Sequence, residues 1–385
     1  MITILLKILY YAPLIIFGKK KIIDLIASIG PFYIKLSQIM TTRPDIVDIR
    51  IINILKPLQD SVPKSFTPII EGIEIEKDPF ASGSIAQVHR CKINENNNFV
   101  IKIKRPNIDK DMEVDRKLLE YLVEMKLVRF VSSLICGKSV ALNSKKLVKL
   151  VHSTLKDHLD FRNEVENLKI MKKNFENNEK IVIPYVNNNF CSEEMILMEK
   201  INGKPLSQVS EKNINRVLEI FLNGIFDMIF VNNFLHGDLH EGNILVLEEE
   251  TKVCFLDFGA VHVITKDKIF LLNIFFYSLI TKNPNLLANY MYNFSVNNDN
   301  MKIKTFDKFQ SKLESLIKNE NFSSLYKFLD NLINICDNCG VLMDESLIMP
   351  IVILIEAEGI SKKYCKDKFS FESCLLVFLN KFMKL

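Results

Sequence analysis

The fold is decided by two short stretches of the chain, Phe234-Leu-His-Gly-Asp-Leu-His-Glu-Gly-Asn-Ile-Leu-Val246 and Cys254-Phe-Leu-Asp-Phe-Gly-Ala260. Each combines a short polar loop with an apolar strand, and together they supply Asp238, Asn243 and Asp257 in that order. Phosphoryl transfer needs a carboxylate that orients the attacking hydroxyl or water, and oxygen ligands that hold Mg²⁺ on the phosphates. The order and spacing predict Asp238 as catalytic base or orienter, with Asn243 and Asp257 as metal ligands. The alternative is two polar turns flanking a hairpin, which the presence of both loops argues against.

The composition is that of a globular protein with room for two lobes. The chain has 385 residues, of which 48% are hydrophobic and 25% charged, and this balance excludes a disordered chain. Its 50 basic and 46 acidic residues leave a net charge of +4, without a basic stripe interleaved with aromatic residues. We therefore expect no nucleic-acid partner.

Eight cysteines are scattered through apolar runs of the chain. Because no secretory signal is recognised, we expect reduced cytosolic thiols. Cys336 and Cys339 form one Cys-x-x-Cys pair, but a zinc site needs about four ligands and no second pair stands at ligand spacing. The pair is therefore interpreted as packing.

Residues 1–17 form an apolar run that is interrupted by Lys7 and Pro13 and closed by lysines at 19–21. A spanning helix needs roughly 20 apolar residues, so this run is too short. An apolar stretch closed by lysines suits peripheral binding to an anionic membrane surface, whereas a helix packed on the protein's own core is the open alternative. A second apolar run, Leu347–Ile355, is too short and too Pro-broken to be predicted as spanning.

A helix is predicted over Tyr33–Arg43, where Pro44 stops it. Lys35 and Gln38 are three positions apart in this helix and therefore share one face. A further short helix and a loop are expected within residues 46–65.

An antiparallel sheet is predicted next. Alternating apolar residues at 73–75 and 85–88 indicate two strands around a tight turn, Ala81–Ser84. A polar hairpin loop, Asn94–Asn98, then leads into a third strand, Phe99–Pro106.

The turn between the first two strands is rich in small residues, which allow backbone amides to approach phosphates closely. Lys102 on the third strand would pair with the α- and β-phosphates. The predicted nucleotide-covering residues are Ala81, Ser82, Gly83, Ser84 and Ile85.

Two helices are predicted after the sheet, over residues 109–134 and from about residue 144 to residue 173. Asp160 and Glu164 are four positions apart on the second helix and share a face. A kinase needs a helix-borne Glu to hold its strand lysine, and Glu164 is the residue we choose. Glu166 points roughly 160° away on the same helix.

The strand and Gly/Pro turn over Met195–Pro205 are predicted to be a hinge, where backbone groups from Glu199 to Ile201 would read the adenine edge. A helix is expected over residues 211–234, before the first loop. After the Asp-Phe-Gly turn only a few residues precede another helical pattern, Ile269–Ile280, so no long activation segment is expected.

Together these motifs resemble the UbiB/ABC1/ADCK family of atypical kinases from about Gly30 to Phe369. The family's Lys-x-Gly-Gln segment and its Ala-rich loop correspond to Lys35-Leu-Ser-Gln38, with Thr42-Arg-Pro-Asp45, and to Ala81-Ser-Gly-Ser-Ile-Ala-Gln-Val-His89. The remaining family signatures correspond to Lys102–Pro106, Asp160–Glu164, His236–Asn243 and Asp257–Gly259.

The resemblance implies an α+β protein with a two-lobed protein-kinase-like fold, a helical N-terminal extension folded across the active site, and a helix-rich C-lobe. We place the extension at residues 1–65, the N-lobe with its helical insertion at 66–200, and the C-lobe at 201–385. The resemblance also implies ATP and Mg²⁺ as cofactors. The implied catalytic residues are Lys35, Gln38, Lys102, Glu164 and Asp238.

The implied biology is nucleotide-dependent support of ubiquinone (coenzyme Q) biosynthesis, with isoprenoid phenol lipids and other ubiquinone-biosynthesis proteins as partners. The implied location is peripheral, on the cytoplasmic side of a bacterial inner membrane or its organellar equivalent. Two positions depart from the family pattern: Ser37 stands where the family has a glycine, and His158 stands where the family usually has an acidic residue. A mid-helix glycine is unfavourable by roughly 1 kcal/mol against alanine, so its usual presence indicates a close backbone approach that serine would loosen.

Two other classes of protein remain open. Aminoglycoside- or choline-type small-molecule phosphotransferases also carry His-Gly-Asp-Leu-His-x-Gly-Asn, although Lys35–Gln38 and Gln87–His89 argue against that class. A nucleotide-gated, non-catalytic scaffold for lipid-modifying enzymes is the other, and the intact set of catalytic and metal-binding residues argues against a dead site without excluding slow hydrolysis. Conventional protein-kinase action is disfavoured because no substrate-docking segment follows Asp-Phe-Gly.

Overall fold

The computed structural model describes residues 10, 22–41, 47, 49–55, 66, 68–93, 96–124, 153–296, 303–319, 324–341 and 345–365. The apolar run at 1–17, Tyr10 excepted, and the motif Thr42–Asp45 lie outside the described residues.

The described residues form a mixed helix and strand structure, which confirms the α+β class. The helices are α1 Ile22–Ile29, α2 Pro31–Thr41, α3 Ile49–Leu55, α4 Ile108–Glu124, α5 Phe161–Asn174, α6 Ile214–Phe226, α7 Lys266–Ile280, α8 Pro284–Val296, α9 Ile303–Asn319, α10 Leu325–Cys339 and α11 Glu345–Tyr364. The strands are β1 Glu74–Ile75, β2 Ala81–Ser82, β3 Ala86–Ile93, β4 Asn96–Lys104, β5 Ile181–Val182, β6 Met195–Glu199, β7 Lys204–Pro205, β8 Phe234–His236, β9 Ile244–Leu247, β10 Lys252–Phe255 and β11 Val261–Val263.

The chain divides into two compact units. The first contains the described residues of Met1–Lys173 and Pro184–Asn202, and the second contains those of Asn174–Ile183 and Gly203–Leu385. Asn174–Ile183 joins the second unit, although the sequence placed it in the first lobe, because β5 pairs in parallel with β10.

The first unit is built on an antiparallel sheet with the strand order β1-β3-β4-β6, and β2 also pairs with β3. The predicted Ala81–Ser84 turn is wrong in its extent, because the first two of its residues pair with Val88 and Gln87. The turn itself is tighter and is closed by a hydrogen bond from the Gly83 N–H to the Ala86 carbonyl, 2.9 Å long.

The hairpin between β3 and β4 is also shorter than predicted. Asn96–Asn98, expected to be loop, belongs to β4, and Asn96 pairs with Ile93 across the hairpin. Backbone pairing with a neighbouring strand overrides the weak strand preference of asparagine. The buried core beside this sheet consists of Ile73, Cys91, Ile101, Ile103 and Leu197.

Helix α2 begins two residues earlier than predicted, at Pro31. Proline is favoured at the first helical position, where its missing N–H needs no partner, and the Gly30 carbonyl accepts the N–H groups of Tyr33 and Ile34. This helix packs against α4. Within its described part, α4 buries Ile108 and Met112 near its start.

The predicted continuous helix from 144 to 173 is wrong at Asp160, which separates helical residues 153–159 from α5. The Asp160 carboxylate accepts the backbone N–H of Arg162, 3.1 Å away, and the guanidinium of the same residue. These bonds hold the pKa of Asp160 below its ordinary value. Asp160 therefore acts as a cap at the start of α5, because a short acidic side chain satisfies an exposed N–H there.

In the second unit, a four-stranded sheet with the order β5-β10-β9-β7 and a two-stranded β8–β11 ribbon carry the two decisive loops. Helix α6 ends at Phe226 and passes into a π-helical turn, Asp227–Val231, so the helix predicted over 211–234 is too long. A β-carbon on Gly224 of α6 would lie 2.9 Å from the Ile181 Cδ1 atom and 3.0 Å from the Phe255 ring. Helix α6 thus packs directly on the sheet that leads into the loops.

Helix α11 runs unbroken from Glu345 to Tyr364 with Pro350 inside it, contrary to the predicted break. Proline costs about 3 kcal/mol inside a helix, and the burial of its apolar neighbours Leu347, Ile348, Met349 and Ile351 offsets this cost. Within the described parts of the chain, no helix has the combination of length and apolar character needed to cross a membrane.

The two cysteines of the Cys-x-x-Cys pair lie at the end of α10, and both are buried. Burial raises the pKa of the Cys336 thiol well above its ordinary value, which disfavours the thiolate that a metal would need. Both positions are consistent with the packing role predicted for them.

Candidate functional site

Lys102 and Glu164 form a buried ion pair in the first unit. Lys102 lies on β4 between Val88 of β3 and Ile196 of β6, so its backbone is fixed on both sides. Its Nζ atom is 2.8 Å from each carboxylate oxygen of Glu164, whose side chain is only 4% exposed. The glutamate of α5 that the sequence singled out therefore holds this lysine.

The ring of Phe161, the first residue of α5, supports the same lysine. The Nζ atoms of Lys102 and Lys104 lie 5.6 and 5.9 Å from its centroid, within the range of a cation–π contact. Lys104 also pairs with Asp109 at 3.3 Å. The start of α5 is thus fixed against β4, which fixes the Glu164 carboxylate.

In the small-residue segment 81–85, called the small-residue loop, Ala81 and Ser82 form β2 and residues 83–85 connect it to β3. A β-carbon on Gly83 would come no closer than 3.6 Å to the Ala86 carbonyl, so the loop has room there. Ser84 and Ile85 are buried, and this burial fixes the end of the loop that precedes β3. Its position over a nucleotide stays a prediction.

At the predicted hinge, β6 ends at Glu199. The Glu199 N–H donates to the Tyr185 carbonyl at 2.8 Å, and the Lys200 N–H donates to the Asn98 carbonyl at 2.8 Å. Both amides are therefore occupied by backbone hydrogen bonds. The groups that we propose to read an adenine edge are the Glu199 carbonyl and the Ile201 N–H.

Asp238 and Asn243 are held together within one loop of the second unit. The Asn243 Nδ2 atom donates to the Asp238 carbonyl at 2.9 Å, and its backbone N–H donates to the His240 carbonyl at 3.0 Å. Asn243 is buried. Because its side-chain nitrogen is engaged on the loop, its side-chain oxygen is the atom that would meet a metal ion.

His236 ties this loop to the strand that carries Asp-Phe-Gly. Its Nε2 atom lies 2.8 Å from the Leu256 carbonyl, and its Nδ1 atom lies 3.2 Å from the Asp238 N–H. The carbonyl accepts and the N–H donates, so the ring is the neutral tautomer that carries its proton on Nε2. Complete burial lowers the pKa of His236 and keeps it neutral.

Asp257 stands in a left-handed backbone conformation, with φ of 56°. Its Oδ1 atom accepts the N–H of Gly259 at 3.2 Å, and its neighbour Phe258 is fully buried 4.9 Å from the His236 ring. A non-glycine residue in this region is uncommon and is associated with functional sites. The buried phenylalanine anchors the turn, while the Asp257 carboxylate remains exposed.

The oxygen donors of this second unit fit Mg²⁺. One exposed carboxylate at Asp257 and one oriented amide oxygen at Asn243 are hard ligands, and Mg²⁺ commonly takes one or two protein ligands and keeps its waters. The β8–β11 ribbon adds rigidity, since a β-carbon on Gly237 would lie 3.0 Å from the Ala260 carbonyl oxygen.

Lys35 and Gln38 lie in α2 and are both half-buried. The departure at Ser37 is accommodated within the helix, because its Oγ donates to the Tyr33 carbonyl at 2.8 Å and the residue is 4% exposed. His158 is half-buried in the helical segment 153–159. The catalytic role of Lys35 and Gln38 stays a prediction.

A model of the ABC1 atypical kinase-like domain matches residues 63–291. The chain belongs to the ABC1 atypical kinase-like family. This match confirms the family resemblance and the kinase-like fold class that the motifs indicated.

Curated relatives agree with the family assignment. A Clostridium pasteurianum protein, described as an uncharacterized protein in the hydrogenase 1 5′ region, is 32% identical over 258 residues, which cover 62% of this chain and 47% of that protein. A probable protein kinase UbiB of Marinobacter nauticus is 32% identical over 261 residues, covering 62% of this chain and 47% of that protein. A protein of the same description from Aeromonas hydrophila is 32% identical over 246 residues, covering 58% and 43%.

The chain spans about half the length of the curated relatives it matches. A solved structure of Rv3197 from Mycobacterium tuberculosis with erythromycin is similar at 20% identity and a TM-score of 0.49, over 75% of this chain and 73% of that one.

Two buried side chains, one in each unit, contact predicted site residues but had no role in the prediction from sequence. His236 stands two residues before Asp238, and Arg105 stands three after Lys102. Arg105 lies in the motif Lys102–Pro106 and His236 lies in the motif His236–Asn243. Their place in these motifs is the sequence feature that could have singled them out. What each one contacts depends on segments 20 or more residues away.

Proposed function

We propose that this chain is an atypical kinase or ATPase that binds Mg-ATP. The proposal is supported chiefly by the Lys102–Glu164 pair, since both carboxylate oxygens lie 2.8 Å from one ammonium group and the Glu164 side chain is only 4% exposed. Such a pair costs desolvation free energy, and a kinase uses it to present the lysine to the α- and β-phosphates.

The loop of the second unit supplies the remaining groups in this proposal. Asp238 orients the acceptor hydroxyl or water and takes its proton, while Asn243 and Asp257 hold Mg²⁺, which neutralises charge on the phosphates. His236 keeps the Asp238 backbone in place through the 3.2 Å hydrogen bond to its N–H. Positioning and electrostatics are the main contributions that such a site makes to phosphoryl transfer.

We further propose that the activity supports ubiquinone biosynthesis at a membrane surface. The support is the name UbiB carried by relatives such as that of Marinobacter nauticus and the lysine-closed apolar run of residues 1–21. In this proposal Lys35 and Gln38 of α2 restrain the nucleotide site, and isoprenoid phenol lipids or other biosynthetic proteins are the partners.

Phosphate release from ATP with Mg²⁺ tests the activity. The parent should release phosphate, faster with anionic liposomes or a phenolic lipid if either belongs to the reaction. Asp238→Asn should lower turnover by about 10²–10⁴-fold, because a positioned base acts mainly in the transition state, while ATP affinity stays close to that of the parent.

Measurements of turnover and of nucleotide binding also distinguish the alternative functions, a small-molecule phosphotransferase and a nucleotide-gated scaffold. Turnover with a soluble amino or hydroxyl compound and none with lipid would favour a small-molecule phosphotransferase. Nucleotide binding without turnover by the parent would favour a nucleotide-gated scaffold. An equal fall in ATP affinity and turnover in Asp238→Asn would assign this residue to metal or structure instead of acceptor positioning.

A further inference from the structure

Arg105 lies directly beneath the small-residue loop. Its Nε atom donates to the Gly83 carbonyl at 3.0 Å, and its Nη2 atom donates to the Ser82 hydroxyl at 2.8 Å. Its own backbone N–H donates to the Ile85 carbonyl at 2.8 Å. One residue, 8% exposed, therefore holds the loop at three points.

These contacts fix the direction of the peptide groups in the loop. In a planar trans peptide, the carbonyl and the N–H of the following residue point in opposite directions. Because the Gly83 carbonyl points to the guanidinium of Arg105, the Ser84 N–H points away from it. The loop therefore turns a carbonyl inwards and an amide donor outwards, which suits an anion on the outer side.

The positive charge of the Arg105 guanidinium next to the loop also favours an anionic ligand. Burial lowers the pKa of Arg105, yet an arginine guanidinium stays protonated in proteins. Its planar fork satisfies Gly83 and Ser82 at once, which the single ammonium of a lysine cannot reproduce.

We propose that Arg105 is a positioning residue for the nucleotide phosphates. It orients the loop of residues 81–85 so that its amides meet the phosphates, while Lys102 contacts them directly. This inference rests on the proposed binding of ATP and adds to it the group that shapes the phosphate-covering loop.

The test compares ligands with different numbers of phosphates. Affinities for adenosine, AMP, ADP and ATP are measured by calorimetry for the parent and for Arg105→Lys, which keeps the charge and loses the fork. The parent should bind more tightly as phosphates are added. Arg105→Lys should weaken ATP about tenfold, the equivalent of one or two hydrogen bonds, and leave adenosine unchanged.

Two further variants guard against a purely structural effect. Arg116→Lys, an arginine-to-lysine exchange at a residue of α4 that binds Glu113 and Glu120, should match the parent for all four ligands. Ser82→Ala removes one partner of the fork and should weaken ATP by a smaller factor. In an Arg105→Lys background it should add little, because both changes break the same contact.

The outcomes are distinguishable. A parent without phosphate-dependent binding would overturn the proposed function and this role with it. A parent that binds ATP normally, together with an Arg105→Lys variant that binds like it or that loses adenosine and ATP equally, would overturn the role of Arg105 alone. If Arg105→Lys does not fold, an unchanged ATP affinity in the folded Ser82→Ala variant overturns the role.

Discussion

At the residue scale, the candidate site in the first unit contains an ion pair that is largely shielded from water. Glu164 is 4% exposed and Lys102 is 14% exposed in their side chains. Removing one partner of a buried pair leaves the other charge uncompensated, whereas replacing both by apolar groups often costs little stability. Single and double variants can therefore separate the contribution of the pair to stability from its contribution to ligand binding.

Glu164→Gln should therefore lower the free energy of unfolding by about 2–4 kcal/mol. The double variant Lys102→Met/Glu164→Leu should recover most of that loss, because no charge remains buried. Urea unfolding measures both variants.

ATP binding should not recover with stability in the double variant, since the group that meets the phosphates is gone. Lys169→Met, on the exposed side of α5, is the control and should bind ATP like the parent. A stable double variant with the parent's ATP affinity would remove Lys102 from the site.

The residue scale also shows which parts of the site were predictable. Glu164 was identified because a helix places it on the face opposite Glu166, and local periodicity is visible in any sequence. The bond of Arg105 to Ser82 joins residues 23 positions apart, and that of His236 to Leu256 joins residues 20 apart. Such contacts follow from tertiary packing, which no local pattern reports.

At the element scale, the largest departure from prediction is the break before α5. An uninterrupted apolar and charged periodicity over 144–173 indicated one helix, but Asp160 competes for the backbone N–H of Arg162 and ends that continuity. Asp160, which the sequence placed on one helix face with Glu164, is instead the cap at the start of α5. Periodicity identifies the faces of helices better than it identifies their ends.

The turn between β9 and β10 is a second feature that the sequence did not indicate. Glu248, Glu249 and Glu250 have φ of 45°, 52° and 68°, a left-handed conformation that costs roughly 1–2 kcal/mol per residue. The buried Glu250 carboxylate accepts hydrogen bonds from Lys204, Ser210 and Asn213. These bonds hold the strained turn closed.

The same bonds predict a pH dependence of stability. The bonds from Lys204 and Ser210 lower the pKa of Glu250 to about 2, from an ordinary value of 4.5. A lowered pKa stabilises the fold fully above the ordinary value, and this contribution is lost as the pH falls towards the folded-state value.

Glu250→Gln should therefore unfold at a lower urea concentration than the parent at pH 7, and the difference should shrink as the pH falls from 4.5 towards 2. Glu249→Gln, on the exposed neighbour, should follow the parent throughout. A difference that is constant across this range would mean that the charge of Glu250 contributes nothing.

At the scale of the whole molecule, association with a membrane is the least local of the predictions. The apolar run and lysine cluster of residues 1–21 lie outside the described residues except for Tyr10, which is 61% exposed. Apolar burial combined with attraction to anionic lipids would make such a segment bind at the interface.

A shortened chain that begins near Asp24 should stay in the supernatant when it is sedimented with anionic liposomes, whereas the full chain should pellet. Binding of the full chain should weaken with added salt, because the lysines are screened. Equal pelleting of both chains would show that residues 1–21 pack on the protein instead.

The family and the α+β class could be predicted from sequence because the decisive motifs are short and continuous in the chain. The division into units could not be predicted to the residue, since β5 pairs with β10 about 70 residues later. A two-residue strand carries too little local signal for its partner to be identified.

The central claim, that the loops around Asp238 and Asp257 bind Mg-ATP, is tested most directly by calorimetry on Asp257→Asn. Asparagine tolerates the left-handed backbone at this position, so the melting temperature should stay close to that of the parent. The gain in ATP affinity that Mg²⁺ gives the parent should disappear, since an amide is a poorer ligand than a carboxylate, while Asp307→Asn on the exposed side of α9 should keep it. A folded Asp257→Asn variant with the parent's Mg²⁺-dependent ATP affinity would contradict the account.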